Sequence, residues 1–275
     1  MPLQMRSIAE WEADCVPGML SVVIPAHNEE ARVAPTVRDV YQGLAKAGIS
    51  HEILVVNDNS RDRTQEVLEE LRAEIPTLRY VNNEPPNGFG FAVRAGLTAF
   101  RGEAVVIVMA DGSDSPADVV AFHRKLQEGY DCVFGSRFVR GAQVVDYPWP
   151  KLMLNRVANF LIRVLFWMRY NDTTNAFKLY RRSVIAGLQP LLACHFNLTV
   201  ELPLKAVVRG YSYAVVPTSW YNRTAGVSKF KIKEMGSRYL FIVLYCYLEK
   251  YLSRADYQKA SAVREGHPLP ASSSR

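Results

Sequence analysis

The chain has 275 residues, 49% hydrophobic and 22% charged, which suffices for one large or two small cored domains and excludes wholesale disorder. Its four cysteines, Cys15, Cys132, Cys194 and Cys246, lie far apart with no Cys-x-x-Cys or paired-histidine spacing, which excludes a disulfide miniprotein and reads as reduced thiols in a cytoplasmic protein. The net charge of +6 conceals a split: residues 1–136 carry 12 Lys/Arg against 20 Asp/Glu, a balance of −8, and residues 137–275 carry 21 against 7, a balance of +14. A basic half of that size implies an anionic partner, whether ligand, nucleic acid or acidic lipid.

The N-terminal residues 1–18 contain acids and no apolar run, so they read as an extension and not as a secretory signal. Short Val/Ile-rich strands are predicted at Leu20–Ile24, Glu52–Val56, Leu78–Val81, Ala104–Met109 and Asp131–Phe134. Between the first two, Val33, Val37, Val40, Tyr41 and Leu44 recur at helical spacing and Gly48 marks a stop. A second helix begins near Ser60 and buries Val67, Leu68 and Leu71; a third spans Phe91–Phe100. The fourth has Ser115 as N-cap, Pro116 at its first position and Gly129 beyond its end. The second half is less regular: a basic helical stretch over Lys151–Trp167, a buried helix over Leu198–Val208, a strand at Tyr213–Val216, the loop Trp220–Phe230, and a polar tail after Arg254.

Strand and helix alternating four times predict an α/β fold with a mostly parallel sheet and helices on both faces, ligands sitting beyond the carboxyl ends of the strands. The turns there read Pro25-Ala26-His27-Asn28-Glu29, Asn57-Asp58-Asn59-Ser60, Asn87-Gly88-Phe89-Gly90, Asp111-Gly112-Ser113-Asp114 and Ser136-Arg137. Carboxylates close three of the five strands, a setting for a metal and for base or ribose groups. The first turn has no glycine and no Walker sequence occurs, which argues against dinucleotide and P-loop sites. No apolar run reaches the roughly 18–20 residues of a membrane span. Val157–Met168 and Tyr239–Leu248 are rich in Leu, Phe, Trp and Tyr with basic flanks, a pattern shared by helices on a bilayer surface and ordinary core helices.

Val22 to Glu30, Val55 to Thr64, Asp111 and Gly135-Ser136-Arg137-Phe138 resemble the family 2 glycosyltransferases of the GT-A, Rossmann-like fold. Asn155 to Phe160, Phe177 to Arg182 and Arg223 to Lys229 are similar, more narrowly, to dolichol-phosphate mannose synthases and bacterial polyprenyl-phosphate glycosyltransferases. The likeness runs in order over residues 20–235. It implies a nucleotide-diphosphate sugar donor, Mg²⁺ or Mn²⁺, and a polyprenyl phosphate acceptor such as dolichyl or undecaprenyl phosphate. Pro25, His27, Glu29, Val56 and Asp58 are then the base pocket, with Asp58 accepting hydrogen bonds from the base. Ala110 and Asp111 meet the diphosphate, and Arg223 and Lys229 grip it.

The family usually has Asp-x-Asp where this chain reads Met109-Ala110-Asp111. Asp111 is therefore the expected metal ligand, with Ser113 or Asp114 as the second or with the metal held mainly by the donor and water, since a hard cation takes oxygen ligands. Arg137, Arg156 and Asn159 match the acceptor-phosphate positions. A phosphate monoester with a second pKa near 6 is already anionic at neutral pH, so it needs cations and no general base. Asp111, Arg137, Arg223 and Lys229 are the expected catalytic groups. Asp172 is the base candidate should the acceptor be a hydroxyl, and otherwise buttresses the loop that carries Lys178.

These readings divide the chain into an extension (1–18), a donor half (19–136), an acceptor half (137–235), an amphipathic membrane-interface helix (236–254) and a disordered tail (255–275). The expected enzyme is cytoplasmic and peripheral on the inner membrane face, with room for a separate membrane subunit and no nucleic-acid partner. A same-fold glycosyltransferase acting on a polysaccharide or small-molecule hydroxyl, a noncatalytic nucleotide-sugar binder and a nucleic-acid binder are the alternatives.

Overall fold

The computed structural model describes residues 13–145, 147–221 and 232–253. Strands β1 (Val16–Ala26), β2 (His51–Asn57), β3 (Leu78–Asn82), β4 (Gly102–Ile107) and β5 (Cys132–Ser136) alternate with helices α1 (Val33–Lys46), α2 (Thr64–Glu74), α3 (Phe89–Ala99) and α4 (Pro116–Gln127). Strand β6 (Val144–Val145), helix α5 (Trp149–Phe166), strand β7 (Lys178–Arg181), helices α6 (Arg182–Gly187) and α7 (Leu198–Val208), strands β8 (Tyr213–Pro217) and β9 (Trp220–Tyr221), and helix α8 (Ile232–Leu252) follow.

All five expected strands form, with shifted ends. β1 starts four residues early, drawing residues 16–18 of the expected extension into the sheet; β4 closes at Ile107, two residues short of Met109. α1 buries Val33, Val37, Val40 and Leu44, the stripe its 3.6-residue period requires. α4 starts at Pro116, but the Ser115 hydroxyl caps nothing; its backbone carbonyl accepts from the Asp118 and Val119 amides instead. α8 starts at Ile232, ahead of the expected boundary at 236. Residues 1–12 and the expected tail at 255–275 lie outside the described residues.

The seven-stranded sheet has the order β3-β2-β1-β4-β7-β5-β8. β7, antiparallel to both neighbours, separates β4 from β5. The two halves of opposite charge therefore share one sheet. Alternating side chains feed two cores: Val23, Leu54 and Val56 pack with α3, α6, α7 and α8, and Leu20, Val22 and Ile24 pack with α1, α2 and α4. Gly96 lets α3 lie directly on the sheet, since a Cβ there would overlap Val23 Cγ1 and stand 3.2 Å from Val56 Cγ2. A separate two-stranded ribbon joins β6 to β9, pairing Val144 with Trp220 and Val145 with Tyr221.

Candidate active site

At the carboxyl end of the sheet the first two turns are laced together. Pro25 and Val56 are register partners on β1 and β2 and both are buried. The Asn28 amide donates to Ser60 Oγ (3.0 Å), the Arg61 amide to Asn28 Oδ1 (2.8 Å) and the Glu29 amide to Thr64 Oγ1 (2.9 Å). Asn28 and Asn59 take left-handed conformations (φ 56° and 55°), which asparagine tolerates better than most residues and which bend both turns into register. Asp58 is 3% exposed; Oδ1 accepts from Asn83 Nδ2 and Oδ2 from the Gly88 amide, each at 2.7 Å. His27 Nδ1 lies 2.6 Å from the Asp58 carbonyl and its Nε2 is 3.2 Å from Asn28 Nδ2. Donation from Nδ1 to that carbonyl leaves Nε2 as the acceptor, so the exposed imidazole braces the Asp58 backbone.

The β4 turn is pinned to α1 by Thr36 Oγ1, which donates to the Ala110 carbonyl at 2.9 Å. Asp111 is half-buried just beyond it, and its Oδ1 accepts from the Ser113 amide at 3.1 Å. The half-buried Asp114 carboxylate turns back to accept from the Met109 amide at 2.8 Å through one oxygen, and partial burial, with Asp111 and Asp118 adding like charge, pushes it up to about 7. Among the described residues no group of three or more His, Cys, Asp or Glu gathers as a metal cage. Asp111 offers the oxygen chemistry that a hard divalent cation takes, with the Ser113 backbone amide bonded to one of its oxygens.

At the end of β5, Arg137 forms a buried bidentate pair with Asp172: Nε to Oδ2 at 2.8 Å and Nη2 to Oδ1 at 2.7 Å, with the Arg137 amide also donating to Oδ2 at 2.9 Å. Burial lowers the Arg137 pKa, but the Asp172 carboxylate outweighs it and holds the guanidinium above its ordinary value. The guanidinium lies 5.3 Å from the Phe138 ring centroid and 6.0 Å from that of Tyr147. Arg156 sits over the same Phe138 ring at 4.7 Å, and Lys151 over Tyr147 at 5.9 Å. Two aromatic rings therefore gather three cations, one more than the sequence reading assigned.

Asn159 belongs beneath this cluster and not in it. It is 1% exposed, its Nδ2 donates to Asn155 and to Thr174 Oγ1, and its Oδ1 accepts from the Thr174 amide. The expectation that it touches an acceptor gives way to a bracing role, because its amide is spent inside the protein. Trp220 stands 4.8 Å from Tyr147, so the β6–β9 ribbon ends beside the cation cluster. Arg223 and Lys229 follow it in sequence and lie outside the described residues.

The sequence profile of glycosyl transferase family 2 matches residues 21–188, from β1 through α6. The chain belongs to this family. A polyprenol monophosphomannose synthase of Mycolicibacterium smegmatis is 31% identical over 233 residues, 79% of this chain and 86% of that one. A dolichol-phosphate mannosyltransferase of Pyrococcus furiosus is 28% identical over 217 residues, 78% of this chain but only 60% of the longer relative. The glucosyl-3-phosphoglycerate synthase of Mycobacterium tuberculosis, solved with Mn²⁺, UDP and glucosyl-3-phosphoglycerate, superposes with a TM-score of 0.62 at 22% identity, covering 89% of this chain and 84% of that chain. Its complex with Mg²⁺ and UDP gives 0.61 at 20% identity, covering 89% and 83%. The fold is the GT-A arrangement and the chain is a glycosyltransferase.

For a family 2 glycosyltransferase the position of every carboxylate near the acceptor end matters, since a hydroxyl acceptor must lose its proton to one. Asp172 is fully buried and both its oxygens are held by Arg137. Glu201 is equally buried, accepting from the Leu192 and Ala193 amides and paired with Lys205 at 2.6 Å. Neither carboxylate is exposed.

Proposed function

We propose that this glycosyltransferase moves one hexose from a nucleotide-diphosphate sugar to a polyprenyl phosphate at a membrane surface. The observation that carries the reading is the trio Arg137, Arg156 and Lys151 gathered over Phe138 and Tyr147, with the Asp172 carboxylate buried and occupied by Arg137. Such a site suits an acceptor that arrives anionic. Asp172 cancels much of the Arg137 charge, so Lys151 restores the balance toward a phosphate of −1.5 to −2. The names of the mycobacterial and archaeal relatives point the same way.

In the proposed reaction an acceptor phosphate oxygen attacks the anomeric carbon in line. The bond to the diphosphate breaks, the nucleoside diphosphate leaves with the electron pair, and the anomeric centre inverts with no proton transfer required. Asp58, Pro25, Val56, His27 and Glu29 are proposed to shape the base pocket, and Asp111 with Ser113 would hold Mg²⁺ or Mn²⁺. The cation would neutralise charge on the departing diphosphate. Arg223 and Lys229 are proposed to grip the same group, and Arg137, Arg156 and Lys151 the acceptor.

The lipid assignment rests on an apolar face. α5 exposes Leu154, Phe160 and Leu161, its C-terminal neighbour Trp167 is 87% exposed, and α8 exposes Leu240, Phe241 and Leu248. Arg163 is exposed on the same helix α5, while the half-buried Lys250 ammonium is held by the Phe166 carbonyl at 2.9 Å. Burying each large apolar side chain is worth about 1.5–3 kcal/mol, and each basic residue near an anionic leaflet about 1 kcal/mol. Among the described residues no helix is long and apolar enough to cross a membrane, so the face is read as lying on one. The test is incubation with Mn²⁺, a polyprenyl phosphate and labelled GDP- and UDP-sugars, run beside 3-phosphoglycerate as a soluble phosphorylated acceptor. Lipid-linked sugar is expected; transfer to 3-phosphoglycerate alone would refute the lipid reading.

A further inference from the structure

Lys178 is a fully buried cation in β7, the strand that runs against its neighbours in the middle of the sheet. Its Nζ donates to the carbonyls of Thr173 (3.0 Å), Thr199 (3.1 Å) and Asn175. Thr173 and Asn175 flank the loop that begins at Asp172, and Thr199 belongs to α7. The same loop is tied outward as well. Asn175 Nδ2 donates to the Gly135 carbonyl at 3.0 Å, Ser136 Oγ donates to Asn171 Oδ1 at 2.7 Å, and Thr174 meets Asn159 and Asn155 of α5. These ties end at Gly135 and Ser136, just before Arg137, and at Asn155 and Asn159, on either side of Arg156 in α5.

We propose that Lys178 is the positioning residue of the acceptor site: its ammonium fixes the Asp172–Asn175 loop, and through Asp172 it fixes the orientation of Arg137. The proposal rests on the acceptor reading of Arg137 given above. Three carbonyl dipoles and the nearby Asp172 carboxylate give the ammonium what water would otherwise supply. An uncharged side chain there would leave three buried carbonyls without a donor and Asp172 balanced by Arg137 alone. The other charged or titratable groups near it are Arg137 itself, whose positive charge opposes the ammonium, Tyr170, whose ring lies 5.7 Å away, and Tyr180, which lines the same small cavity. Burial is the largest influence and brings Lys178 down to about 7, with Asp172 resisting. Below that pH the ammonium is present; above it the loop loses its central charge, and acceptor affinity falls as pH rises.

The test compares wild type with Lys178→Met and Lys178→Arg, using a water-soluble ten-carbon prenyl phosphate so that membrane binding does not enter. Lys178→Met is expected to raise the acceptor KM about 10-fold or more with donor KM and kcat within about threefold, and Lys178→Arg to recover most of the affinity. In wild type the acceptor KM should climb between pH 7 and 8.5, and in Lys178→Arg it should stay level. The second readout needs no turnover: the Arg137 Nε–H resonance, assigned by its loss in Arg137→Lys, is protected from exchange in wild type and should broaden or vanish in Lys178→Met. An unchanged Arg137 signal in a folded Lys178→Met protein overturns the proposal whatever the acceptor is. A changed signal with no sugar transfer to prenyl phosphate by wild type supports Lys178 and refutes the acceptor reading instead. A fall in kcat alone, with acceptor KM and the Arg137 signal intact, also overturns the proposal.

Discussion

Asp172→Asn separates two roles for the one carboxylate that sequence reading left open. The side chain is fully buried and receives three bonds from Arg137, two from the guanidinium and one from the backbone amide. Asparagine keeps one acceptor oxygen but removes the charge, so Arg137, with 9% of its side chain exposed, becomes a buried cation without a counter-ion. Breaking a buried pair in this way costs about 3–5 kcal/mol; the retained oxygen places this substitution toward the lower end, at about 3 kcal/mol. Urea unfolding should show that loss, and the acceptor KM should rise at least 10-fold as Arg137 reorients, with donor binding preserved. A catalytic base would behave differently, its removal costing about 10²–10⁴ in rate. A collapse of kcat with stability and acceptor KM unchanged would refute the positioning argument and with it the phosphate acceptor.

Asp111→Asn should abolish Mn²⁺-enhanced binding of nucleoside diphosphate, measured by calorimetry, and lower kcat by about 10²-fold or more, because no second carboxylate stands at position 109. Asp114→Asn should leave that Mn²⁺ dependence intact, since Asp114 faces the Met109 amide. Its carboxyl is raised in the folded protein, so the folded state holds a proton that the unfolded chain releases, and wild-type stability declines as pH rises from about 4 to about 7. Thermal unfolding of Asp114→Asn across that range should show a shallower decline. Lys151→Ala should raise the acceptor KM about 5–20-fold with donor KM unchanged, steady-state kinetics at low salt being the check. Gly96→Ala should destabilise by about 1–3 kcal/mol in denaturant, because the added methyl overlaps Val23 where α3 lies on the sheet.

The sequence by itself determined the alternation of strands and helices, the α1 stripe and the turns that close the strands, because these depend on residues within one or two turns of each other. It also located Asp58 and Asp111, since a carboxylate just past a β-strand in a parallel sheet has only one end of the sheet to occupy. Tertiary structure decided the rest. β7 is four residues long with no pattern to mark it, and only the sheet shows that it enters between β4 and β5 and carries Lys178 into the core. Asn159 and Asp114 match the kind of residue a ligand needs, yet burial and nearby donors turn both inward. Lys151 and Tyr147 carry no motif at all. They join Arg137 because the start of α5 lies beside the end of β5, and cations separated along the chain share an anion only where the fold closes that distance.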